Sequence, residues 1–126
     1  MKKNPLEMIQ HIGQILYSKK ATNIIAIDVR GISSITDYVI IANGNVDRHV
    51  IALAKLVEEE LKTFGEKTFH IEGMQNGDWI VLDYFNILIH LFVPEMRLKY
   101  QLERLWSEGK IIDLELDESK NEKMNL

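Results

Sequence analysis

Cysteine is absent from this 126-residue chain. No disulfide can staple the fold and no thiolate can act as nucleophile or metal ligand, a composition that fits a reducing interior. Proline occurs only twice, at Pro5 and Pro94, each just ahead of a helix-like pattern. No stretch approaches the ~20 apolar residues that a membrane span requires. The opening Met1-Lys-Lys-Asn-Pro5 leads into a short amphipathic pattern rather than an unbroken apolar run, so a soluble cytoplasmic chain without membrane contact is expected. Basic clusters are missing as well. The formal charge is −4, and residues 113–126 hold five acids and two lysines, which leaves the body nearly neutral. Affinity for nucleic acid rests largely on phosphate neutralisation by clustered Lys and Arg, so little direct nucleic-acid binding is expected. A role beside nucleic acid would have to work through protein.

What the chain does contain is enough apolar sequence for one core. A single domain over residues 1–117 is expected, followed by a polar C-terminal tail over 118–126. Its centre is the stretch Asp78-Trp-Ile-Val-Leu-Asp-Tyr-Phe-Asn-Ile-Leu-Ile-His-Leu-Phe92, which reads as two strands joined at Tyr84-Phe85-Asn86. In the first strand Trp79, Val81 and Asp83 share one face while Ile80, Leu82 and Tyr84 share the other. The second strand is apolar on both faces too. Such a hairpin must be covered on both sides, or covered on one and offered to a partner on the other.

Around this hairpin the periodicity predicts a helix from Pro5 to about Lys19, with Met8, Ile9, Ile12, Ile15 and Leu16 on its buried stripe. Strands follow over 23–28 and 37–43, expected as an antiparallel pair. A second helix is predicted after Asn45 or Asp47 as cap, burying Val50, Leu53, Ala54, Val57, Leu61 and Phe64 and ending at Gly65. Its Glu58-Glu59-Glu60 run reads as a solvated face. A short strand over 68–72 and the loop Gly73–Gly77 lead into the hairpin. Pro94 then opens a third helix whose spacing puts Leu98, Leu102, Leu105 and Trp106 on the core and Arg97, Gln101 and Arg104 opposite. After Gly109, alternation of Ile112, Leu114 and Leu116 with acids suits a short edge strand. The order αββαβββα defines an α/β (α+β) layer fold around a mixed sheet.

Catalytic patterns are not found. There is no phosphate-binding glycine loop, no nucleophile elbow and no zinc-type ligand spacing. His70 and Glu72 fall on one strand face. His90, on an otherwise apolar strand, is expected to be satisfied by a hydrogen bond with Asp83 across the hairpin. His11 and His49 read as surface residues. Trp106 ends an apolar stripe and reads as core, whereas Trp79, at the strand entrance beside Gly77, suits core packing and partner contact equally.

Several segments carry a family likeness: Ser34–Gly44, Arg48-His49-Val50, Glu72-Gly73, Trp79–Tyr84, His90, Glu95-x-Arg97 and Leu102-Glu-Arg-Leu-Trp106. Running in order from about Ile25 to Trp106, they resemble the Iojap family, the ribosomal silencing factors. The resemblance implies a domain related in fold to nucleotidyltransferases but lacking their catalytic carboxylates, with no cofactor. It further implies docking on the fourteenth protein of the large ribosomal subunit, which blocks joining of the small subunit. The partner-binding residues expected on this basis and from the exposed hairpin are Trp79, Tyr84, Phe85, Met74, Asp83 and His90. A weak two-fold homodimer through the same apolar surface is expected for the free protein. An enzyme of nucleotidyltransferase type is the alternative. Two departures from the family pattern stand out: Phe85-Asn86 where the hairpin turn usually carries Gly-Asp, and Asn45-Val46-Asp47 where the helix cap usually carries Ser or Thr. The first raises a question of turn geometry, because Phe tolerates positive φ poorly.

Overall fold

The computed structural model describes residues 4–117. The expected polar tail over 118–126 lies outside the described residues. The chain runs α1 (Pro5–Ser18), β1 (Thr22–Asp28), β2 (Tyr38–Asn43), α2 (Asp47–Lys62), β3 (His70–Glu72), β4 (Trp79–Asp83), β5 (Ile87–Phe92), α3 (Pro94–Tyr100), a 3₁₀ turn (Leu102–Arg104) and β6 (Lys110–Ile112). The strands form one six-stranded mixed sheet in the order β3-β4-β5-β2-β1-β6. All neighbouring pairs are antiparallel except the central β2–β5 pair. The expected mixed-sheet α/β fold is thus present, and the β1–β2 pair is antiparallel as anticipated.

Local chemistry explains the elements. Asn4 and Glu7 form a capping box at the start of α1, with Pro5 in the first turn where its missing N–H costs nothing. β2 carries only buried residues, as suits a strand covered on both faces at the centre of the sheet. On one face α1 and α2 pack over Ala26, Tyr38, Ile40, Ala42, Ile80, Leu82, Ile87, Ile89 and Leu91. On the other, Ile27, Val29, Val39, Ile41, Phe92 and Trp106 form a smaller core, with Met96 and Leu102 packed against it. The prediction that Trp106 packs in the core therefore holds.

Past β6 the chain crosses α1 in extended form. Gln10 donates to the Asp113 carbonyl (2.8 Å) and accepts from the Glu115 amide (3.0 Å). Gln14 does the same with Asp117 (2.9 Å each). Two extended residues advance about 6.7 Å and four helical residues about 6 Å, so a helix pair at i and i+4 can serve every second residue of a strand. Leu114 and Leu116 sit over Gly13, where a Cβ would lie 3.2 Å from Leu114 Cδ1. Gly13 thus lets the chain's own C-terminal segment pack closely against α1.

The structure corrects four expectations. The third helix stops at Tyr100, where Gln101 adopts a left-handed conformation (φ 47°, ψ 53°) and a 3₁₀ turn follows. That break rotates the supposed stripe: Leu98 and Leu105 are 73% and 67% exposed, while Arg97 is buried. The cap of α2 is Val46, whose side chain makes no capping bond. Asp47 accepts from the Arg48 amide instead, and the Asn45 amide donates to His49 Nδ1. The other ring nitrogen of His49 bonds the Lys19 carbonyl (2.7 Å), so this half-buried histidine ties the end of α1 to the start of α2 rather than standing free on the surface. The fourth correction concerns His90 and belongs with the site.

Candidate docking face

Strand alternation and the shortness of α3 leave one half of the second sheet face open. On β4 Trp79, Val81 and Asp83 point there, and on β5 Leu88, His90 and Phe92 do. Val81 and Leu88 are half-buried, and neither belongs to a core cluster. Trp79 is held at their border. Its ring stacks on Phe92 with centroids 4.9 Å apart and meets Tyr100 of α3 at 4.9 Å. The loop feeding Trp79 is fixed by two glycines at positive φ. A Cβ at Gly73 would lie 2.0 Å from the Trp79 carbonyl oxygen, and one at Gly77 would strike Ile51 of α2 at 2.8 Å.

His90 lies beneath Trp79 and does not meet Asp83, contrary to expectation. The register pairs His90 with Val81 and Asp83 with Leu88, so the two side chains are offset along the hairpin. Trp79 Nε1–H donates to His90 Nδ1 at 3.1 Å. Because Nδ1 accepts, the ring hydrogen sits on Nε2, which is buried without a partner among the described residues. Burial pushes the imidazole down to a pKa of about 4, so His90 is neutral near pH 7.

The other expected site residues divide between the faces. Phe85 is exposed in the turn at φ 69°, its amide bonded to Asp83 Oδ1 (2.8 Å) and its ring 4.2 Å from the exposed ring of Phe69. These contacts show how the turn accommodates Phe where glycine would fit more easily. Asp83 thus fixes the turn from the open face. Tyr84 and Met74 pack against the helix-side core. The Tyr84 hydroxyl is buried, and that burial, with the nearby charges of Glu58 and Glu66, raises its pKa. Sequence reasoning put Val81 on the face of Trp79 but counted neither it nor Leu88 nor Tyr100 among the binding residues. Alternation along the hairpin could have added the first two; Tyr100 depends on how α3 docks.

Among the described residues no three His, Asp or Glu side chains converge to hold a metal ion. His70 and Glu72 do meet (2.7 Å), but as an exposed pair on the edge strand. Asp37 precedes β2 and Asp83 ends β4, on opposite sides of β5. The described residues include no helix long and apolar enough to cross a membrane.

The geometry is that of a small mixed-sheet domain with one face covered by two helices and the other left half open, and its likenesses name the family. The family model described as "Ribosomal silencing factor during starvation" matches residues 2–125, and the chain belongs to that family. It is 36% identical over 116 residues to a ribosomal silencing factor of Zymomonas mobilis, covering 92% of this chain and 87% of the relative. A mouse protein named for mitochondrial assembly of the ribosomal large subunit is 32% identical over 102 residues, covering 79% of this chain and 45% of that protein. The fold superimposes on a crystal structure of a Chromobacterium violaceum protein with a TM-score of 0.81 and 28% identity, covering 94% and 98% of the two chains.

Proposed function

We propose that this protein silences ribosomes in the cytoplasm by docking its open sheet face on a protein of the large subunit, the fourteenth in large-subunit naming. The docked domain occupies space that the small subunit requires, so repression of translation is steric and involves no catalysis. Family membership and the large-subunit wording of the mouse relative's name support the ribosomal assignment. The observation that carries the surface is the half-open aromatic ledge of Trp79 and Tyr100 beside Val81 and Leu88. Aromatic rings held in place by neighbours make strong anchors because little side-chain freedom is lost on binding.

Sedimentation tests this reading. Trp79→Ala should remain folded yet weaken association with purified large subunits by roughly 2 kcal/mol, about thirty-fold. Parent-like binding by a folded Trp79→Ala variant would remove the ledge from the interface. Covering an apolar surface by pairing two copies about a two-fold axis is common, so the free protein forms a weak dimer through the same face. Analytical ultracentrifugation should show a concentration-dependent dimer that dissociates when the ribosomal partner is added. A strict monomer, or a ternary complex of dimer and partner, would refute the shared surface.

A further inference from the structure

The chain leaves the two parallel central strands toward opposite faces: α2 follows β2 onto the helix-side core, and α3 follows β5 onto the other. Such a divergence opens a crevice outside the carboxyl ends of the strands, the usual ligand position in open α/β sheets. A cavity of about 540 Å³ lies there, lined by Asn43 at the end of β2, Asn23 near the start of β1, and Pro94, Arg97, Leu98, Gln101, Glu103 and Arg104. Its volume is in the range of small-molecule sites.

The lining is built around a cation. Arg97 is only 8% exposed. Its Nη1 donates to the Asn43 side-chain oxygen (2.9 Å) and to the Asn23 carbonyl, and its Nε to Glu103 (2.9 Å). Nη2 has no acceptor among the described residues. Glu103 balances one positive charge, and Arg104 leaves the lining with a net charge of +1 in a chain whose total is −4. Asn23 and Gln101, both on the cavity wall, hold positive φ (51° and 47°). Backbone strain of this kind persists where the surroundings enforce it, as at ligand sites. Leu98 and Pro94 supply an apolar wall, which gives the 73% exposed Leu98 a use that core packing does not.

We infer that this crevice binds a small organic phosphate of mononucleotide size, its phosphoryl group on Arg97 Nη2 and Arg104 and its flat apolar body against Leu98 and Pro94. Two cations can share a phosphoryl dianion through charge-assisted hydrogen bonds, and the Asn23 and Asn43 amides remain to meet polar edges of the body. The cavity lining includes none of the ledge residues Trp79, Val81, Leu88 and Tyr100, and the site does not depend on the ribosomal reading.

The full-length protein should be titrated with adenosine 5′-monophosphate, adenosine and inorganic phosphate, followed by amide chemical shifts. Saturable shifts at Asn23, Asn43, Arg97, Leu98 and Gln101 are expected with the nucleotide, with each half-molecule binding roughly ten-fold or more weakly. Arg104→Gln and Leu98→Glu, both at exposed positions, should each weaken the nucleotide roughly ten-fold while leaving the melting temperature unchanged. Shifts that fail to saturate or map elsewhere would overturn the site, as would nucleotide affinity unaltered in both variants. Phosphate binding as tightly as the nucleotide would reduce it to an adventitious anion spot. A 5′-phosphorylated tetranucleotide that binds more tightly than the mononucleotide would replace the free ligand with an RNA end.

Discussion

The two faces of the sheet obey the same alternation and end differently because their covers differ in number and length. On the helix side α1, of 14 residues, packs chiefly over β1 and β2, and α2, of 16, over β4 and β5, so the pair spans four neighbouring strands of the sheet with β2 and β5 at the middle. On the other side α3, of seven residues, packs chiefly over β5. On the helix side Ile80, Leu82 and Ile89 are fully buried; on the other, their neighbours Val81 and Leu88 are left half in water. Apolar character alone therefore does not say which hairpin face is core. The helices available to pack over each face decide it.

Substitution of two adjacent residues of β5 would break or sharpen this contrast most. Ile89→Ala, on the sealed face, should cost about 2–5 kcal/mol in urea unfolding, since its cavity has no route to collapse. Leu88→Ala should cost under about 1 kcal/mol while weakening large-subunit binding. Equal losses from the two would show that the second face is sealed after all.

Acid should act on the open face first. His90 is held at a pKa of about 4 in the fold against about 6.5 in the unfolded chain, so between these values the unfolded state binds more protons. Stability is therefore complete above about pH 6.5 and declines as pH falls toward 4, by roughly 3 kcal/mol at most. Protonation also puts hydrogen on the Nδ1 that accepts from Trp79, so indole fluorescence should change over the same window. A His90→Gln variant that retains the full pH dependence would assign it to other groups. A smaller effect is expected from Gln14→Ala, which removes both bonds to Asp117 and should lower stability by about 1–2 kcal/mol without touching ribosome binding.

Much of the fold was legible because its signals are local. The α1 and α2 stripes follow from 3.6-residue periodicity, and the hairpin from period-two alternation about Tyr84–Asn86. α3 misled because its apparent stripe continues through Gln101, whose left-handed conformation no propensity rule demands. Burial of Arg97 was equally hidden: it depends on a β1 irregularity near Asn23 that presents a carbonyl from 74 residues away. Trp79 could be placed at a strand entrance from sequence, but its partnership with His90 required the hairpin register. Tyr84 and Met74 were grouped with Trp79 by proximity in the chain, whereas one step of alternation carries Tyr84 to the opposite face.

The clasp between α1 and residues 113–117 has a consequence for the order in which the molecule assembles. Its hydrogen bonds join residues 103 and 105 positions apart, close to the longest separation the described chain allows. During synthesis α1 is made about a hundred residues before the backbone that its two glutamines hold. An incomplete chain must keep Gly13 without Leu114 and Leu116 over it, and closing so long a loop is slow compared with local helix formation. The domain is thus locked only once residues 113–117 have reached α1, so its closing contact lies at the far end of the described residues from its first helix.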